Sequence, residues 1–124
     1  METDKKITLV LGASSNPHRP SYETVKALLA KNIPVIAVGN RKYEYGNFSI
    51  LTEMPDSIPG LHTISIYLGP DNQTEYYEAI LGLNPKRIIF NPGTRNSDLA
   101  DMAVINGIEV INACTKTMLS NGDY

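Results

Sequence analysis

The stretch Ile7-Thr8-Leu9-Val10-Leu11-Gly12-Ala13-Ser14-Ser15-Asn16-Pro17, running on into Ser21-Tyr22-Glu23-Thr24-Val25-Lys26-Ala27-Leu28-Leu29, carries the reading of the fold. An aliphatic run, a glycine, a small polar loop and an amphipathic helix, in that order, are the parts of a nucleotide-binding βα unit. The start of such a helix has free backbone N–H groups and a partial positive charge, which suits a phosphate.

Outward from this unit, strand and helix alternate. Residues 6 to 11 are apolar at nearly every position, which predicts a central strand covered on both faces. The helix over residues 21 to 31 places Val25, Leu28 and Leu29 on one stripe, with Ser21 as its cap after Pro20. Further strands are predicted at 34 to 38, 62 to 67, 86 to 90 and 108 to 111. Helices are predicted at 72 to 83, capped by Asp71 or Asn72, and at 97 to 106, closed by Gly107 in the left-handed conformation. A short one follows at 114 to 119. Between Arg41 and Gly60, Gly46, Pro55 and Pro59 exclude a long helix, leaving a turn and a brief extended piece near Phe48 to Leu51. The expected fold is α/β: a Rossmann-like, doubly wound, five-stranded parallel sheet of order 3-2-1-4-5, with helices on both faces, in one domain over residues 1–124.

Composition narrows the class. The chain of 124 residues is 42% hydrophobic and 19% charged, with a formal charge of -2. That balance speaks against nucleic acid or a membrane surface as partner, since both are bound through clustered basic residues. Any anion must be held locally. The polar lead-in from Met1 to Lys6 carries no apolar signal region, so a cytoplasmic location is expected. Cys114 is the single cysteine, which excludes an internal disulfide and a cysteine-based zinc site. His18 and His62 lie far apart and share no metal-binding spacing.

Ligands of such sheets bind outside the carboxyl ends of the strands. Four loops rich in Gly, Pro, Asn and Ser fall there: Gly12 to Pro20, Gly39 to Lys42, Leu68 to Asn72, and Asn91 to Asn96. The first departs from a dinucleotide fingerprint, with Ser14 and Pro17 where the second and third glycines belong. NAD in its usual pose is disfavoured. After the second strand stand Asn40, Arg41 and Lys42 in place of an acid, and two cations there suit a ribose phosphate, as in NADP or coenzyme A. Ser14 reads as a phosphate donor. Tyr67, Leu68, Gly69 and Pro70 offer an apolar shelf for an adenine or a pantetheine arm. In the fourth loop Gly93 admits a ligand close to the backbone, and Arg95 either meets an anion or pairs with Asp98. No nucleophile elbow or credible triad is present. Tyr43, Tyr45 and Phe48 offer an aromatic surface for a homodimer.

The chain resembles the small single-domain CoA-binding proteins, whose domain is similar to the nucleotide-binding domain of the succinyl-CoA synthetase α subunit. The resemblance covers nearly the whole chain and is most specific in Gly12-Ala13-Ser14-Ser15-Asn16-Pro17-His18-Arg19-Pro20-Ser21-Tyr22, supported by Asn91-Pro92-Gly93-Thr94 and Asn112-Ala113-Cys114-Thr115. It implies coenzyme A held with its phosphates on the first loop, by Gly12, Ala13, Ser14, Ser15, Arg19 and Ser21. It implies the adenosine end at Asn40, Arg41 and Lys42, and further contacts at Tyr67, Leu68, Gly69, Pro70, Asn91, Pro92 and Gly93. The turn Val38-Gly39-Asn40-Arg41 departs from the family's usual Val-Asn-Pro. The ligase partner domain is absent, so the expectation is a module that binds coenzyme A or an acyl-CoA without catalysis. The alternatives are an NADP-dependent oxidoreductase, or a partner-binding protein with a degenerate pocket. For Cys114 the choice lies between a buried, inert thiol and one that forms a mixed disulfide with CoA.

Overall fold

A computed structural model describes residues 5–124; the reading made of Met1 to Asp4 lies outside them. The elements are β1 (Thr8–Leu11), α1 (Pro20–Ala30), β2 (Val35–Val38), β3 (Tyr43–Tyr45), β4 (Phe48–Leu51) and β5 (Thr63–Ile66). Two 3-10 turns, Pro70–Asn72 and Thr74–Tyr76, lead into α2 (Tyr77–Leu83), followed by β6 (Arg87–Phe90), α3 (Ser97–Ile105), β7 (Glu109–Asn112) and α4 (Thr115–Asn121).

The strands form one sheet of order β3-β4-β2-β1-β5-β6-β7. All neighbours are parallel except β3 and β4, which pair antiparallel. All four residues of β1, β5 and β6 are buried, because both faces of the sheet are covered there. Side chains alternate between the faces. Leu9, Leu11, Ile64, Ile66 and Phe90 pack under Ile80 of α2 and Leu99 of α3. Val10, Ala37 and Ile50 pack on the other face under Val25 and Leu28 of α1 and Leu119 of α4.

The Rossmann-like α/β architecture stands, while the five-stranded order 3-2-1-4-5 is corrected to seven strands in a mixed sheet. The extended piece at Phe48–Leu51 is a full parallel neighbour of β2, aligned as Ala37 with Ile50. It occupies the place beside β2 that was assigned to the strand at 62 to 67. That strand, β5, therefore crosses to the other side of β1, and the reversal of strand order falls between β1 and β5.

Local expectations divide in the same way. Gly107 has φ +78 and closes α3 as foreseen. The predicted helix over 72 to 83 breaks into 3-10 turns before Tyr77, because Gln73 turns its side chain inward to bond loop carbonyls. Ser21 is not the cap of α1: Arg19 holds that position, Pro20 opens the first turn, and the Ser21 hydroxyl faces the preceding loop. Phe48 is buried between the rings of Tyr22 and Tyr43, so of the three aromatics assigned to an outer surface it is withdrawn into the core.

Candidate functional site

At the crossing point the first loop leaves β1 through Gly12, whose φ is +94. A Cβ there would stand 3.0 Å from both Leu68 N and the carbonyl carbon of Tyr67, so twist and space both call for glycine. The Gly12 and Ala13 N–H groups donate to the Val38 carbonyl at 2.8 and 2.9 Å, seating the loop across the end of β2. Gly39 answers from β2, where a Cβ would stand 2.2 Å from the Ala13 carbonyl oxygen. These two approaches press the ends of β1, β2 and β5 together.

The loop then organises itself. Ser14 N–H donates to Ser21 Oγ at 3.1 Å, Asn16 N–H to Ser14 Oγ at 3.0 Å, and His18 N–H to Asn16 Oδ1 at 2.9 Å. The backbone N–H groups of Ser15 and Ser21 have no acceptor among the described residues. They are free donors beside the α1 start, whose dipole adds partial positive charge.

A cavity of about 690 Å3 opens here over the carboxyl ends of β1, β2, β5 and β6. Gly12, Ala13, Ser14, Arg19 and Ser21 line it from the first loop, as does Asn40 from the turn after β2. Tyr67, Leu68 and Gly69 line it from the turn after β5, and Asn91 and Pro92 from the turn after β6. Ser15 and Pro70 stand off its wall, and Gly93 belongs to an adjoining cavity. Arg41 and Lys42 do not reach it, because the chain turns at Asn40 toward β3 and leaves both side chains exposed on the outer edge.

Asn91 lines the cavity and also holds its wall together. It is 1% exposed, donates from Nδ2 to Ser65 Oγ and the Ile66 carbonyl at 2.9 Å each, and accepts from Thr115 N–H at 2.8 Å. Its side chain is the peg that fixes the start of α4 to the sheet. Gln73 does the same for the neighbouring wall, donating to the Leu68 carbonyl at 2.9 Å and the Thr94 carbonyl at 2.7 Å, while Asn96 donates to its Oε1. Sequence reasoning missed Gln73, Thr24 and Tyr76 as parts of the site, and reached Gly39 only as the start of its loop. A glutamine placed where a helix was expected was the one available hint.

Lys116 pairs with Glu23 at 2.5 Å across the rim, both side chains about half exposed. With Arg19 unpaired, the charged groups of the lining leave one net positive charge. Tyr67, on the floor, has its hydroxyl bonded to Thr24 Oγ1, and burial pushes its pKa above the usual value. Cys114 is half-buried on the wall rather than sealed in the core. A hydrogen bond from Thr117, with smaller help from the backbone N–H groups of Thr117 and Lys116, holds its thiol below its ordinary pKa. His62 lies at the opposite end of the sheet, bonded to Thr63 Oγ1 at 2.7 Å, and takes no part.

A Rossmann-like sheet with a glycine-sprung first loop, free N–H donors at a helix start and a long cavity at the switch point defines a small-ligand-binding α/β domain. The particular family follows: residues 6–120 match the CoA binding domain, and the chain belongs to that family. A crystal structure of an uncharacterised protein is 41% identical, with a TM-score of 0.92 over 97% of this chain and 98% of that one. A hypothetical protein from Pyrococcus horikoshii is 26% identical, with a TM-score of 0.81 over 94% and 82%. The fold is also shared, at 16% identity and a TM-score of 0.69, with a dinucleotide-forming acetyl-coenzyme A synthetase of Ca. Korarchaeum cryptofilum, over 87% of this chain and 25% of that one. Among curated proteins there is no match. Among the described residues, no helix is long and apolar enough to cross a membrane.

Proposed function

We propose that the chain binds coenzyme A or an acyl-CoA along the carboxyl edge of the sheet, without catalysis of its own. The observation that carries this is the shape of the site. From β2 to β7 the edge spans four strand spacings, about 19 Å. Two adjoining cavities open along this edge. That is a trough for an elongated ligand, with phosphate donors near one end and an apolar floor toward the other.

In this reading Ser21 N–H, the Ser14 hydroxyl and the Arg19 guanidinium, all on the cavity wall, receive the pyrophosphate. Asn40 meets the adenosine end, and Tyr67, Leu68 and Gly69 carry the pantetheine arm toward Pro92. Bound CoA supplies the thiol; the chain's residues supply placement. Family membership agrees with the shape. Arg41 and Lys42, the cations that suited a ribose phosphate of NADP or of coenzyme A alike, lie outside the cavity and favour neither ligand over the other. The degenerate-pocket alternative keeps two favourable observations: the Glu23–Lys116 pair spans the rim, and Ser21 Oγ already satisfies one loop N–H.

A thermal-shift series with CoA, acetyl-CoA, NADP and NAD separates these. At about 100 times its dissociation constant, a ligand stabilises by about 2.7 kcal/mol. A shift with CoA and its thioester alone is expected. A shift with NADP alone overturns the proposal in favour of an oxidoreductase, and none at all in favour of a partner-binding role.

A further inference from the structure

The second cavity, about 330 Å3, opens over the carboxyl ends of β6 and β7 and shares Asn91, Pro92 and Cys114 with the first. Pro92 and Ala113 give it apolar walls above the buried Phe90, and no acidic side chain lines it. Arg95 stands on its rim. Three residues before Asp98, it nevertheless makes no ion pair or side-chain hydrogen bond among the described residues; the recorded ion pair of the region is Lys116 with Glu23. Gly93, with φ +88, turns the chain between Pro92 and Arg95, and the space where its Cβ would stand is open. A cation left unpaired beside an apolar concavity matches a short carbon chain ending in an anion: its carbons against Pro92 and Ala113, a carboxylate on the guanidinium.

We propose that this cavity takes the acyl portion of a CoA thioester, and that Arg95 selects acyl groups ending in a carboxylate. The inference rests on the CoA-binding reading above and extends it. A ligand whose phosphates lie on the first loop has its far end at Pro92 and Cys114, the junction of the cavities. Unacylated CoA leaves the second cavity without a tenant. A thioester with a terminal carboxylate fills it and neutralises Arg95.

The test compares malonyl-CoA with acetoacetyl-CoA, whose acyl groups have the same number of heavy atoms and the same branching and differ in a carboxylate against a methyl ketone. Isothermal titration with the full chain is expected to show malonyl-CoA bound about fivefold more tightly, as befits one partly exposed ion pair. Arg95→Gln is expected to bring the ratio to about one, and Arg95→Lys to retain part of it. Equal affinities in the unaltered chain, or a ratio that survives in Arg95→Gln, overturn the proposal while leaving CoA binding intact. Failure of CoA and both thioesters to bind overturns instead the reading on which it rests, and this inference with it.

Discussion

Gly12 is where backbone and ligand make the same demand. Its φ of +94 and the 3.0 Å approach to Leu68 N leave no room for a side chain. Gly12→Val is expected to cost about 2 kcal/mol or more of stability by urea unfolding. It should also abolish the CoA shift; undiminished binding would displace the phosphate site from this loop. Cys114 is a native reporter of the same trough. Held below its ordinary pKa by Thr117 and half-buried on the wall, it should be alkylated readily by iodoacetamide near neutral pH. Saturating CoA should slow that reaction more than about tenfold, by lowering the free fraction. An unchanged rate would place the ligand elsewhere. Residues of this kind were partly legible in the sequence, since a glycine after an aliphatic run announces a turn. Gly39 was not, because its reason is the Ala13 carbonyl, a neighbour known only once β1 and β2 are paired.

At the scale of elements, the walls of the trough depend on two buried amides. Gln73, fully buried, ties the turn after β5 to the turn after β6, and Asn91 ties β6 to the start of α4. Gln73→Leu keeps the bulk but strands the Leu68 and Thr94 carbonyls and leaves the Asn96 amide with the Tyr77 hydroxyl as its one acceptor among the described residues. It is expected to destabilise by about 2 to 4 kcal/mol and to weaken CoA binding, both measurable on one urea and titration series. A neutral result would mean that water replaces the amide. The strands β1, β2 and β6 were legible because parallel, doubly covered strands are aliphatic runs, and β5 because polar and apolar residues alternate along it. The order of strands was not. A parallel crossover usually carries a helix, whereas residues 39–47 cross from β2 to β4 by way of the edge strand β3. Four residues of alternating Phe48-Ser49-Ile50-Leu51 give little sign of such a role.

For the whole molecule, the two ends of the sheet have separate electrostatics. The first-loop end holds the trough; the opposite end gathers Arg87, Lys6, Lys86 and His62, and Glu109 opposes these cations at His62. Burial, then Arg87, lowers the His62 pKa from its ordinary 6.5. The sign follows from linkage: below pH 6.5 the unfolded chain takes up the proton first, so stability is full above that value and lost as pH falls through the folded pKa. His62→Gln should flatten the slope of urea stability against pH in that window, and leave CoA affinity unchanged because His62 lies at the far end. A slope identical in both proteins would remove His62 as its cause.

The close approach at Gly39, where an added Cβ would stand 2.2 Å from the Ala13 carbonyl oxygen, reaches further than the strand it ends. Two loops in such contact are expected to move together, with the mouth of the trough already formed in the free protein. A change of ligand preference in such a lineage would come by exchanging rim side chains such as Arg95 or Lys116. Remodelling the hinge-like backbone beneath them is closed off.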